Sequence, residues 1–474
     1  MAKAERLPGG AAGREIRLEF EGERIPAREG EPIAAALLAA GVDVFSRAVK
    51  YHRARGPFCL SGRCSHCVMR VDGEPNAFAC TTPARDGCKI ERQNAFPGVE
   101  HDVFRTIDWM YPRGLDHHTL FAGVPIVEKV VAKVARQMAG LGLLPDAARA
   151  DGARFLEHEV DVTVIGGGTS GFHAALAASA LGARVTVVDE QGGLGGRLRT
   201  GLHPEERTPA TELDAARRAA LERAGVHVLS RTFAFGLYRE EGLLVAARAP
   251  ERRLLVIRPR AVVLATGATE LLPPFANNDL PGVYAGRALA RLVHADRVLP
   301  AKEFVVAGDD RAERDAVAAL LRDAGATVVA APSLRGPDRI LRARGRARVA
   351  GVLLAGPDGG RKLRCEAIAV TGETSAFLDL ARHAGARVEW RGSGFAVVTD
   401  ERQGTGVPRI FACGEVTGRC TPKESADQGA IAGRSAAEEA LALAGRAVEA
   451  GGGGASREEK DPGEATPRLQ GGER

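Results

Sequence analysis

The 474-residue chain has little net charge, few lysines and no long apolar run, and each shortage narrows what it can be. Its 65 basic and 60 acidic residues leave +5, too mild an excess to argue for a nucleic-acid partner. Nine of the basic residues are Lys and fifty-six are Arg. Such a bias can mark a phosphate-reading surface, but codon usage is the simpler account. Residues 1–10 hold Lys3 and Arg6 but no apolar h-region, so no signal peptide is expected. The apolar stretch 33–40 falls far short of the ~20 residues of a transmembrane segment. A cytoplasmic protein with reduced cysteines is the expectation. Hydrophobic residues at 45% and charged residues at 26% exclude a wholly disordered chain, and the length suggests about three domains.

What is present begins with eight cysteines. Cys59, Cys64, Cys67 and Cys80 give C-x4-C-x2-C-x12-C, the plant-type 2Fe–2S spacing. A cluster needs a loop that wraps it and turns backbone N–H groups towards its sulfides, and Gly62 allows that tight backbone. Zinc, which prefers paired C-x2-C units, is the competing reading. Cys88 falls outside the spacing and is expected to be an ordinary buried thiol. His66, inside the loop, is expected to face solvent.

Around that loop, Ile16, Leu18 and Phe20 alternate with charged residues as in a half-buried strand, and Ile25 begins a return strand after a turn at Glu21-Gly22-Glu23. A helix should follow over 30–40, with Pro32 near its start and Gly41 past its end. Hairpin, helix and Cys-rich loop predict a β-grasp, ferredoxin-like α+β domain over 14–97, behind a flexible N-terminus at 1–13. Residues 98–157, with Trp109, Met110, Tyr111, Phe121 and an apolar run over 126–138, read as a packed connector. From Val160 a strand–turn–helix–strand pattern occurs twice, which predicts parallel α/β sheets. Residues 448–474 hold almost no large apolar side chains and are expected to be disordered.

Gly166, Gly168 and Gly171 form G-x-G-x-x-G between an apolar strand and an Ala-rich helix, and Asp189 closes the next strand. The glycines admit a pyrophosphate, the helix N-terminus favours its charge, and the acid takes ribose hydroxyls. Glu190 is the alternative ribose ligand. Gly195-Gly196-Arg197-Leu198 stands where two-domain flavoproteins place a second diphosphate loop. Ala265-Thr266-Gly267 follows another apolar strand. Gly414-Glu415 resembles the late flavoprotein strand–Gly–Asp motif, with Glu replacing Asp. FAD contacts are therefore expected from Gly166, Gly168, Gly171, Asp189, Glu190, Gly196, Arg197, Thr266, Gly267, Gly414 and Glu415. A helix from Asp427 should aim its N-terminal end at the flavin pyrimidine ring. The second unit is worn: Gly308 is followed by Asp309, Asp310, Arg311, Ala312 and Glu313, and no acid follows Val329. Carboxylates there would repel a diphosphate, so NAD is not expected. Cys365, Cys413 and Cys420 are too scattered for thiol–disulfide exchange. Together the motifs predict two Rossmann-like dinucleotide-binding domains resembling the glutathione-reductase type, FAD-binding over 158–290 and 378–447 and degenerate NAD-type over 291–377.

These residues give the chain a likeness. It resembles the α subunits of the sarcosine oxidase group, with those of opine oxidases, proline and hydroxyproline dehydrogenases and hydrogen cyanide synthase. The run Lys50-Tyr51-His52-Arg53-Ala54-Arg55-Gly56-Pro57-Phe58-Cys59 and the four-cysteine loop resemble that group's ferredoxin-like domain, and residues 111–142 its connector. Longer sarcosine oxidase α subunits continue into a folate-binding domain, and several relatives carry a second Cys-rich cluster domain; neither is expected here. The resemblance implies an FAD and 2Fe–2S subunit of a hetero-oligomeric amine or amino-acid dehydrogenase or oxidase. A flavoprotein β subunit would oxidise the sarcosine-, proline-, hydroxyproline- or opine-like substrate, and electrons would leave one at a time through the cluster to an acceptor. No general acid or base stands out, and His117 and His118 are assigned to surface or connector. The alternatives are an NAD(P)H-dependent flavoprotein reductase with its own ferredoxin domain, and a non-enzymatic, cofactor-bearing scaffold subunit.

Overall fold

Polar–apolar alternation builds the first sheet. β1 (Glu15–Phe20) and β2 (Glu23–Arg28) pair antiparallel with Leu18 opposite Ile25. α1 (Ile33–Ala39) starts after Pro32 rather than at Gly30, because Gly30 takes a left-handed turn at φ 80°. β3 (Val68–Val71), β4 (Glu74–Phe78) and β5 (Lys89–Glu91) complete the sheet in the order β2-β1-β5-β3-β4, with β1 and β5 parallel. Leu18, Met69 and Ile90 bury against Ile33 and Leu37 of α1. This computed structural model describes residues 4–9, 13–49, 51–95, 98–106, 108, 154–202, 207–240, 242–249, 253–356, 359–392 and 394–451. Residues 109–153, which hold the connector aromatics, the 126–138 run, His117 and His118, lie outside the described residues, as do 452–474 of the expected tail.

The first nucleotide unit opens on β6 (Arg154–Ile165), followed by α2 (Thr169–Ser179), β7 (Val185–Val188), α3 (Ala210–Arg223) and β8 (His227–Leu229). β9 (Phe233–Tyr238), β10 (Leu244–Ala249) and β11 (Arg253–Leu264) form an antiparallel meander that returns to lie parallel beside β6. β6 begins inside the span expected to be connector. Its first half is polar and exposes Phe155 at 71%, so only the apolar half from Val162 carries a sequence signal.

A second sheet follows: β12 (Val283–Ala285), α4 (Gly286–His294), β13 (Glu303–Gly308), α5 (Arg311–Asp323), β14 (Thr327–Ala330) and β15 (Ala367–Thr371). Its strands are all parallel, in the order β12-β15-β13-β14. It starts at Val283, ahead of the span read from the glycine turn, because a three-residue strand leaves no periodic trace. β16 (Ile410–Ala412) then returns to the first sheet beside β11, and α6 (Pro422–Gly451) lies across α2. α6 begins before Asp427 because Thr421 and Glu424 cap it reciprocally: Thr421 N donates to Glu424 Oε2 at 2.8 Å and Glu424 N to Thr421 Oγ1 at 3.2 Å. It also runs to Gly451, into the span expected as tail.

The apolar cores place the site. One continuous cluster joins the ferredoxin-like sheet to the second nucleotide-like sheet, while the first nucleotide sheet has a separate core on each face. The cysteine loop is thereby held at the mouth of the first nucleotide unit. Among the described residues no helix is long and apolar enough to cross a membrane.

Candidate functional site

The cysteine loop has the backbone a sulfur-bound cluster needs. Leu60, Gly62 and Ser65 are all left-handed, at φ 47°, 76° and 58°. That winding turns N–H groups inward: Ser61 N and Arg63 N each donate to Cys59 Sγ at 3.4 Å, and Gly62 N to Cys80 Sγ at 3.1 Å. The thiols meet in two pairs, Cys59 with Cys64 and Cys67 with Cys80. A two-by-two arrangement suits two irons, each held by a cysteine pair, better than one tetrahedral zinc. The hydrogen bonds from Cys64 and the loop backbone draw the Cys59 thiol down to about 4, and Cys64, which donates, is pushed up. Cys88 is buried away from the pairs, and burial lifts it to about 11. His66 does not face solvent: it is half-buried with its ring 6.3 Å from Phe58, and burial lowers it to about 4.

The glycine turn divides into packing and approach. A Cβ on Gly166 would stand 2.2 Å from the Ala265 carbonyl oxygen, and one on Gly171 would stand 1.8 Å from that of Gly166. Those two glycines let strand, turn and helix close on one another. A Cβ on Gly168 would meet nothing nearer than Gly196 Cα at 3.9 Å, and Gly196 is itself left-handed. A Cβ on Gly196 would stand 2.9 Å from Gly168 Cα, so the two glycines pack closely, and both line the cavity, a cradle fit for a diphosphate at the N-terminus of α2.

The two acids have separate jobs. Asp189 is buried and accepts from Gly167 N at 2.5 Å and Gln191 N at 2.6 Å, so its carboxylate braces the turn. Glu190 reaches the cavity wall instead, 3.0 Å from Arg63 Nη2, with its carboxyl raised by burial. The cavity, about 470 Å³, runs from Cys59 and Arg63 past Gly168 and Gly196 to Thr266 and Glu415. Asp189, Glu190, Gly166, Arg197 and Gly267 also line it, whereas Gly171 and Gly414 pack behind it. Gly414 N donates to Gln428 Oε1 at 2.9 Å, and a Cβ there would strike Ser170 Oγ. Thr266 Oγ1 donates to the Phe377 carbonyl at 2.9 Å.

At the far end Glu415 accepts from Arg197 Nη1 at 3.0 Å and from Arg287 Nη1 at 2.9 Å. Arg287 also pairs with Glu313, and its backbone N–H donates to Glu270, which burial raises to about 8. The N-terminus of α5 accepts the chain's own carboxylates: Asp310 takes Glu313 N at 3.1 Å, and Arg419 pairs with both acids. A Cβ on Gly308 would stand 2.0 Å from Thr371 Oγ1, so its small size serves packing.

Several cavity residues carried no sequence signal. Arg63 lies inside the C-x4-C loop, but only the fold brings it to Glu190. Arg291 of α4 donates to Gln191 Oε1 at 3.0 Å and to the Leu60 carbonyl, joining α4, the acidic loop and the cysteine loop. The Nε groups of Arg63, Arg197 and Arg199, all on the cavity wall, are buried without a hydrogen-bond partner, which suits an anionic ligand. The N-terminal turn of α6, with Thr421, Pro422 and Ser425, lines the same cavity; its T-x-x-E cap was the signal that would have placed it.

Residues 13–95 match a 2Fe–2S iron–sulfur cluster binding domain, and residues 161–265 match an FAD dependent oxidoreductase domain. The chain is 30% identical over 424 residues to the sarcosine oxidase alpha subunit of Rhizobium meliloti, covering 81% of this chain and 43% of that protein. It is 33% identical over 164 residues to an opine oxidase subunit of Agrobacterium tumefaciens, covering 31% of this chain and 32% of that one. Over 80 residues it is 30% identical to hydrogen cyanide synthase subunit HcnA of Pseudomonas aeruginosa, covering 17% of this chain and 76% of that protein. The chain thus spans less than half the length of the sarcosine oxidase subunits it matches. The fold is shared with L-proline dehydrogenase from P. horikoshii, at a TM-score of 0.66 and 21% identity over 93% of this chain and 76% of that one.

Proposed function

From the matched 2Fe–2S and FAD domains and the likeness to the sarcosine oxidase α subunit, we propose that the chain belongs with that group of oxidoreductase subunits and serves a hetero-oligomeric amine or amino-acid dehydrogenase or oxidase. One observation carries the reading: Cys59, Ser61 and Arg63 of the cysteine loop line the same cavity as Gly166, Gly168 and Gly196. FAD, when bound, exchanges electrons in twos and ones, and a 2Fe–2S cluster only in ones.

The chain's own residues would divide the work. Gly168, Gly196 and the N-terminus of α2 admit the diphosphate, and Glu190 takes the ribose hydroxyls. The N-terminal turn of α6 favours negative charge beside it. Cys59 and Cys64 would hold one iron and Cys67 and Cys80 the other, while the N–H groups of Ser61, Gly62 and Arg63 would stabilise charge on the sulfurs. A flavoprotein partner would carry the pocket for a small secondary amine or amino acid, and a separate acceptor would receive the electrons. No residue of this chain is assigned as general acid or base. The cytoplasm, where cysteines stay reduced, is the expected compartment.

The test is anaerobic reduction of the purified, cofactor-loaded chain. We expect FAD to be released on denaturation, a 2Fe–2S signal to appear on reduction, and the flavin to bleach only when an amine and the flavoprotein partner are added. Rapid bleaching by NADH alone would instead make the chain an NAD(P)H-dependent reductase. Turnover that survives loss of the cluster in Cys64→Ala would reduce the chain to a scaffold.

A further inference from the structure

We propose that the loop from Cys59 to Cys67 is a lid on the dinucleotide cavity, latched by Arg63 onto Glu190, so that cluster assembly and dinucleotide binding favour one another. The inference rests on the FAD and 2Fe–2S reading above and adds a regulation to that site. Arg63 faces both ways. Its backbone N–H donates to Cys59 Sγ at 3.4 Å, while its guanidinium leaves the loop and stands 3.0 and 3.2 Å from the two oxygens of Glu190. The same guanidinium lies 4.1 Å from the Phe377 ring centre and 5.5 Å from that of Phe233. Glu190, Phe233 and Phe377 come from three separate segments, and all three line the cavity. The ion pair is only partly exposed, 23% at Arg63 and 27% at Glu190. Arg291 adds a second tie, from the Leu60 carbonyl to Gln191, the neighbour of Glu190.

The loop's shape makes it depend on what the cysteines hold. Leu60 and Ser65 are non-glycine residues at φ 47° and 58°, a conformation that costs free energy unless the surroundings impose it. A cluster bound to both cysteine pairs imposes it. Without that restraint the loop relaxes, Arg63 leaves Glu190, and the cavity loses the wall on which the ribose acid is oriented. In the other direction, a dinucleotide on Glu190 holds Arg63 and its loop in the conformation the cluster needs. Linkage makes the two effects reciprocal, with a typical size of about 5–150-fold in affinity.

The experiment compares FAD binding by the cluster-loaded chain and by the same chain stripped of iron with chelator and reductant, read by flavin fluorescence. In the wild type, stripping should weaken FAD binding about tenfold, and FAD should slow cluster loss to chelator, read by visible absorbance. Arg63→Gln keeps the N–H that donates to Cys59, so its cluster should assemble with an unchanged spectrum, but its FAD affinity should be the same with and without cluster. Arg63→Lys, which keeps the charge and loses the planar stacking, should recover part of the coupling. An Arg63→Gln protein that retains the wild-type ratio overturns the inference, as does a wild type whose FAD affinity ignores the cluster. A loaded wild type that binds no FAD at all overturns the functional reading, and this inference with it.

Discussion

Gly168→Ala and Gly171→Ala should fail in different ways, although both sit in one motif. A methyl at 171 would meet the Gly166 carbonyl at 1.8 Å, so this variant should lose roughly 1–3 kcal/mol of stability and show a lower Tm. A methyl at 168 projects into the open cradle, so Tm should hold while FAD binding falls at least about tenfold, a factor worth ~1.4 kcal/mol. Fluorescence titration and calorimetry on both variants check the split; equal losses of Tm would refute it. The spacing alone displayed the motif but not this division, because which glycine packs and which stands clear depends on Ala265 and Gly196, far along the chain. The acids behave alike: Asp189 and Glu190 are adjacent, and only the turn geometry sends one to Gly167 and the other to Arg63. Glu270 gives a pH test. Burial raises it from 4.5 to about 8, so between those values the unfolded chain is ionised there while the native protein keeps its proton. Native stability therefore falls as pH rises through that window. Glu270→Gln removes the titration, so the variant's Tm minus that of the wild type should climb by on the order of 5 °C from about pH 5 to about pH 8 and then level off.

Between elements, α6 lies directly against α2. A Cβ on Gly429 would stand 2.1 Å from the Ser170 carbonyl oxygen, and one on Gly433 the same distance from that of Ala174. Both pairs are spaced i, i+4, so a strip of one helix lies directly on a strip of the other. Gly433→Ala should therefore force the helices apart and cost roughly 1–3 kcal/mol, seen as a lower midpoint in urea. Ser170 follows the glycine turn, so the same variant should also weaken FAD binding through displacement of α2. A midpoint unchanged within error would show that the helices can part without strain. The helix was legible from Asp427 onward because it follows the late Gly414-Glu415 motif. Its first turn was not, since Pro422 and Lys423 carry no apolar periodicity and only the Thr421–Glu424 cap marks the start. β6 shows the same limit: it is a twelve-residue strand whose apolar half alone was visible, because the other half is a partly exposed, mostly polar ribbon.

At the scale of the whole molecule, the worn nucleotide unit holds the cluster domain. Tyr284, Phe304 and Ile368 of the second sheet share one continuous core with Leu18, Leu37 and Met69 of the ferredoxin-like sheet. Ion pairs close the edge of that contact, Arg55 with Asp279 at 2.7 Å and Arg348 with Asp43 at 2.5 Å. The second glycine turn can then lose its ligand without the unit being lost, because its apolar face still supports the cysteine loop. The sequence predicts such a loss from Asp309 and Asp310, but not the support, since a contact between residues nearly three hundred positions apart leaves no local pattern. The consequence is measurable at a distance from the cysteines. Phe304 is fully buried in β13, so Phe304→Ala should cost about 3–5 kcal/mol through the cavity it opens. If the two sheets are one cooperative unit, the visible absorbance of the cluster should vanish in the same thermal transition as this core, and the substitution should move both to lower temperature together. A variant whose calorimetric peak shifts while the cluster bleaches at the wild-type temperature would show that the ferredoxin-like domain stands without this support.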